Sequence, residues 1–256
     1  MKIIRNMIVA LSMYSRIPMP VFSWKEDDTK YALGFIGLVG VIIGAMEYGV
    51  YILGEYFALP LFVRTLLWAT IPLVVTGGFH VDGFMDVQDA LNSYKPKEEK
   101  LKILKDPHVG AFAIISLVVY GCFYFAGTYL LLEAGNRRLL LVVCLGFACM
   151  RAVGAFLGVV LRHAKQEGLL HEETKQAATG TKVLLLTTIL LCLAGMVYLH
   201  YLAAAVVTLG SLLLILWYRH KCYKEFGGVS GDAIGFFITV SELLVVIFVA
   251  VVARVI

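Results

Sequence analysis

Seven stretches of this chain are apolar enough, and about long enough, to cross a bilayer: residues 31–53, 60–78, 109–132, 139–161, 183–199, 203–218 and 234–252. A spanning helix needs about 20 mostly apolar residues, because each adds 1.5 Å against a hydrocarbon core about 30 Å thick. Of the 256 residues, 60% are hydrophobic and 16% charged, where a soluble domain has roughly 45–50% and about 25%. The expectation is an all-α, polytopic integral membrane bundle of about seven helices forming a single domain over residues 1–256. The fifth and sixth stretches are separated only by a few residues around His200 and Tyr201, which predicts a tight helical hairpin, and the sixth is the shortest.

Lysine and arginine counts orient such a bundle. Residues 1–30, 79–108, 162–182 and 219–233 hold seventeen basic residues; the opposite side holds four, Arg64, Arg137, Arg138 and Arg254. The N-terminus and the loops at 79–108, 162–182 and 219–233 are therefore expected in the cytoplasm, with the bundle in the cell (inner) membrane. The net charge of +4 belongs to this topology and marks no nucleic-acid surface. The first eleven residues lack a full apolar core and a small-residue cleavage site, so no signal peptide is read. Cys122, Cys144, Cys149, Cys192 and Cys222 show no metal-binding spacing, and four of them lie in apolar runs, where Cys behaves as a small hydrophobe.

Polar chemistry collects on the cytoplasmic side. Asp82, Asp86 and Asp89 recur at i, i+4 and i+7, within roughly 60° of one another on a helix. Such a stack repels itself, and each carboxylate near lipid costs about 2.5–3.5 kcal/mol. A hard cation removes both penalties, and Mg²⁺ is bound by a few carboxylates plus substrate phosphates. His80, two residues before Asp82, could act as a general acid or base or hydrogen-bond a carboxylate. Pro96 opens a short amphipathic helix with Leu101, Ile103 and Leu104 on its apolar face. Asp106, beside Lys105, is either a fourth ligand or the cap of the third spanning helix, with Pro107 at its first position.

Arg151 lies mid-span and must face the bundle interior, where its partner is an aspartate, a substrate phosphate or a glutamate such as Glu47. Glu47 and Glu242 have no assigned role. The run Gly227-Gly228-Val229-Ser230-Gly231-Asp232 could bring backbone N–H groups to an anion at a helix N-terminus; Asp232 caps that helix or joins the metal site.

Four blocks resemble the cobalamin synthase (adenosylcobinamide-GDP ribazoletransferase) family. Ser15-Arg16-Ile17-Pro18-Met19-Pro20 is similar to its T-R-I-P-x-P. Residues 77–90 match G-G-x-H-x-D-G-x-x-D-x-x-D-[GA], residues 101–110 resemble L-x-I-M-K-D-x-x-x-G, and residues 227–232 match G-G-x-[TS]-G-D. Arg151 and the polar segment 164–169 also fall where the family has an intramembrane Arg and A-[RK]-x-E-G-L. Ala90 and Pro107 depart from the commoner Gly and Ser without removing a ligand.

The resemblance implies a Mg²⁺-dependent transferase that joins adenosylcobinamide-GDP to α-ribazole, or to its 5′-phosphate, and releases GMP. On this reading Asp82, Asp86 and Asp106 hold the metal, and Asp89 completes the site or takes the proton from the 5′-hydroxyl of α-ribazole. Lys105 or Arg151 neutralises leaving-group charge, while Gly227, Gly228, Gly231 and Asp232 contact nucleotide or phosphate. A small bundle handling so large a substrate can also associate with itself. The aspartate spacing is similar to that of CDP-alcohol phosphotransferases, but the second half of their motif is missing. A cation-coupled transporter is the other rival; against it, no repeat is evident and the acids lie at one face.

Overall fold

The computed structural model describes residues 2–23, 31–164, 174 and 179–255; residues 165–169 of the polar segment lie outside them. The described residues form nine α-helices: α1 (Lys2–Tyr14), α2 (Gly37–Tyr56, preceded by a 3₁₀ turn at Ala32–Phe35), α3 (Leu61–Thr76), α4 (Phe79–Asn92), α5 (Lys97–Ile103), α6 (Ala111–Ala134), α7 (Arg137–Val160), α8 (Thr179–Glu225) and α9 (Gly231–Val255). Five helical segments are long and apolar enough to cross a membrane, six if α3 and α4 are taken as one broken span. Large apolar side chains stay exposed around the bundle, including Val118, Val119 and Phe123 on α6 and Leu212, Leu213 and Leu216 on α8. A belt of this kind needs lipid around it, and the chain is an integral membrane protein.

At the centre runs α7, buried along most of its length because small residues let its neighbours approach. A Cβ on Gly40 of α2 would lie 2.5 Å from the Ala148 Cα, and one on Gly146 would lie 2.6 Å from Val245 of α9.

The 47-residue α8 is far longer than a bilayer is thick and contains one extended residue, His200 (φ −161°, ψ 95°). Its neighbours show that it doubles back. Gly195 packs on Leu145, whereas Thr188 meets Gly37 at the level of Ala148, so the first leg runs antiparallel to α7. Ser211 then meets Met150 and Tyr223 meets Arg162, so the second leg runs parallel. The Nδ1 of His200 accepts from the Ala203 N–H at 3.2 Å, capping the second leg. The hairpin expected around His200 is present, and its two legs supply the fifth and sixth spans; the sixth continues to Glu225.

The aspartate segment differs from a simple end of the second span. Gly77 (φ 65°) and Gly78 (φ 81°) stop α3, because two successive left-handed residues are cheap only for glycine. The chain then turns by 91° into α4. Arg16, from the first sequence block, locks this corner: its N–H donates to the Val75 carbonyl at 2.8 Å and its side chain lies against Gly77. α4 therefore lies nearly perpendicular to α3 and crosses the start of α9.

Candidate active site

Two glycines set the geometry. Where α4 crosses the start of α9, a Cβ on Gly83 would lie 2.7 Å from the Asp232 carbonyl oxygen and 2.8 Å from its Cα. Across the same contact, a Cβ on Gly235 would lie 3.0 Å from the His80 carbonyl. Backbone meets backbone here, so Asp232 of α9 joins Asp82 and Asp86 of α4. The Asp86 carboxyl is pushed up to about 7, first by partial burial and then by the charges of Asp82, Asp232 and Asp89. A carboxylate crowded by three others demands a cation or a proton.

Asp89 points elsewhere. Its two oxygens accept from the Gly110 N–H (2.6 Å) and the Ala113 N–H (2.8 Å). It therefore caps α6 from a neighbouring helix, the task the sequence offered to Asp106. Asp106 instead accepts from the His108 backbone N–H at 3.0 Å and contacts its ring at 2.7 Å, which hold its carboxyl below the usual range on an exposed loop. The structure does not bring Asp106 to the other carboxylates, and the adjacent Lys105 is exposed. Pro107 precedes α6, which begins at Ala111.

The glycine-rich loop is divided between two tasks. Gly227 (φ 81°) turns the chain, and its carbonyl accepts from Arg162 Nε (3.1 Å) and Nη2 (2.8 Å). Gly228 lies so close to the backbone of Arg162 and His163 that no side chain fits. The Gly228 and Val229 N–H groups bond to the Cys222 and Arg162 carbonyls, so they are not offered to an anion. Ser230 caps α9 by accepting from the Ala233 N–H at 3.2 Å, which leaves Asp232 to the carboxylate group and Gly231 exposed.

Beneath α4, His80 is buried, and burial together with the Arg151 charge lowers its imidazole to about 3. Its neutral ring lines the space between α3, α6, α7 and α9. Arg151 is ion-paired to Glu242 of α9, and its Nη1 also donates to the Phe147 carbonyl at 3.3 Å. Glu47 is buried close by. The sequence offered aspartates, phosphate or Glu47 as partners of Arg151; the partner is Glu242, to which it assigned no role. Arg16 at the α3–α4 corner is the other residue a reading of single motifs passed over, although its sequence block was noticed.

A model of the cobalamin-5-phosphate synthase family matches residues 6–250. The chain belongs to this family. As a member of the cobalamin-5-phosphate synthase family it is a transferase of cobalamin synthesis. It is 35% identical to the adenosylcobinamide-GDP ribazoletransferase of Lachnoclostridium phytofermentans, over 95% of this chain and 92% of that protein. The proteins of the same name from Clostridium botulinum and Geobacillus kaustophilus are 33% and 31% identical, over 94% and 89% of this chain and 94% and 88% of theirs. No solved structure matches.

Proposed function

We propose that the chain joins adenosylcobinamide-GDP to α-ribazole, or to its 5′-phosphate, with release of GMP at the cytoplasmic face of the cell membrane. The observation that carries this reading is the meeting of Asp82, Asp86 and Asp232 from two helices at the Gly83–Gly235 crossing. Family membership supplies the reaction class.

The donor set suits Mg²⁺. Among the described residues no group of three or more His, Cys, Asp or Glu side chains is arranged to hold a metal ion by itself, but Mg²⁺ takes one or two carboxylates and completes its shell with water and substrate phosphates. Asp86 together with Asp82 or Asp232 would hold it. When bound, the ion would neutralise charge developing on a pyrophosphate.

The protein's own residues orient the reaction. A ribose hydroxyl attacks the phosphorus that carries the cobinamide ester, the bond from that phosphorus to the bridging oxygen breaks, and the bridging oxygen leaves with GMP. The attacking oxygen cannot be the 5′-hydroxyl, as the sequence reading had it, because an acceptor already phosphorylated there has none free; a ring hydroxyl attacks instead. Of these carboxylates Asp86 is the one whose affinity for a proton is raised by burial and by its neighbours' charges. Asp89 fixes α4 against α6, and Arg16 fixes the corner from which α4 starts.

The test is GMP release by the purified protein in lipid, with adenosylcobinamide-GDP and α-ribazole, with and without EDTA. Metal-dependent release coupled to a cobalamin product is expected. A folded sample that forms no product in either condition refutes the reading.

A further inference from the structure

A cavity of about 310 Å³ lies beneath α4, between α3, α6, α7 and α9. Its walls are mostly apolar, with Leu73 and Leu117 near its mouth and Tyr120 and Tyr124 along one side; the two tyrosine rings stack with centroids 5.6 Å apart. Five buried polar atoms on the lining have no hydrogen-bond partner: His80 Nδ1, Tyr124 Oη, Arg151 Nε, Thr239 Oγ1 and Glu242 Oε1, the last of which is ion-paired to Arg151. None of these residues is more than 5% exposed. Unpaired groups this deep destabilise a fold unless something supplies partners.

We propose that this cavity seats the benzimidazole base of the α-ribazole acceptor, an inference that rests on the function proposed above. The base is flat, bicyclic and largely apolar, with a single free ring nitrogen able to accept. The Arg151 Nε–H and the Thr239 hydroxyl are donors for such an atom. A lipid acyl chain would leave every one of these polar atoms unmatched. Guanine presents N–H donors along its edge and needs a carboxylate free to accept them, whereas the Glu242 carboxylate on this lining is ion-paired to Arg151. The corrinoid is excluded by size, since the cavity lies at the lower end of the 300–1,000 Å³ range of small-molecule sites. The route to the reacting centre is short, because the lining residues His80 and Val81 immediately precede Asp82. A base held here extends its ribose past His80 toward the carboxylates, and membrane helices thereby select a water-soluble nucleoside.

The test is steady-state kinetics of the full chain with each substrate varied in turn. Thr239→Val keeps the shape and removes the hydroxyl; it is expected to raise KM for α-ribazole roughly three- to tenfold. KM for adenosylcobinamide-GDP should stay unchanged, and Thr239→Ser should restore the acceptor KM. Thr70→Trp, at an exposed lining position on α3, needs no repacking of the core and should raise the same KM by narrowing the mouth. Unchanged acceptor KM in both variants overturns the proposal and leaves the cavity to lipid, and a rise confined to the donor KM overturns it in favour of guanine. Failure of the unaltered protein to turn over at all strikes instead at the proposed function.

Discussion

Replacing Gly83 by alanine adds one methyl group at the place where α4 and α9 touch. The new Cβ would lie 2.7 Å from the Asp232 carbonyl oxygen and 2.8 Å from the Asp232 Cα. Carbon atoms pack at about 3.5–4.0 Å, and the obstructing atoms are backbone, so the two helices must part by about 1 Å. That motion carries Asp232 away from Asp82 and Asp86. Misplacement of about 1 Å in a reacting constellation can cost on the order of 10²-fold in rate, and overpacking costs about 1–3 kcal/mol of stability. Alanine returns about 1 kcal/mol of helix propensity, so the fold survives while kcat falls. Gly235→Ala meets its nearest atom at 3.0 Å and should lose less. Gly49→Ala, with nothing within 4 Å of its Cβ, should behave as the unaltered protein. The assay is GMP release at saturating substrates, with a thermal melt of each variant in the same detergent. A Gly83→Ala protein within twofold of normal kcat would refute the argument that this crossing sets the carboxylates.

Removing Glu242 alone, as Glu242→Ala, strands a buried guanidinium and should cost about 3–5 kcal/mol in denaturant titrations. The double variant Arg151→Met/Glu242→Leu should cost less than the single one. Asp89→Ala deprives α6 of its cap and should lower stability by about 0.5–2 kcal/mol, with faster hydrogen exchange at residues 110–113. In EDTA-treated protein the raised Asp86 pKa makes the folded state bind more protons than the unfolded chain between pH 4 and about 7. Stability should therefore fall as pH rises through that window and level off above it; Asp86→Asn should flatten the slope, as followed by melting temperature against pH.

What was legible in the sequence was whatever rests on local pattern. Apolar runs revealed the spans, and the brief polar interruption at His200 revealed the hairpin. The i, i+4, i+7 spacing put the three aspartates on one helix, but spacing cannot say what a neighbouring helix asks of each one. Asp89 sits at the height where α6 begins and becomes its cap, a contact made across 21 residues of chain. Glu242 lies 91 positions from Arg151, and nothing local to either residue announces the pairing. Gly227 and Gly228 look like an anion cradle in one dimension; in three they form the seam against the backbone of residues 162–164. The 91° corner was signalled by Gly77-Gly78, although a hydropathy reading treats those glycines as the tail of a span.

The bonds from Asp89 to Gly110 and Ala113 have a mechanical consequence. They tie the helix bearing the carboxylates to the helix bearing Tyr120, two turns further along. A ligand that displaced α6 would, through these two bonds, also displace α4 and with it Asp82 and Asp86.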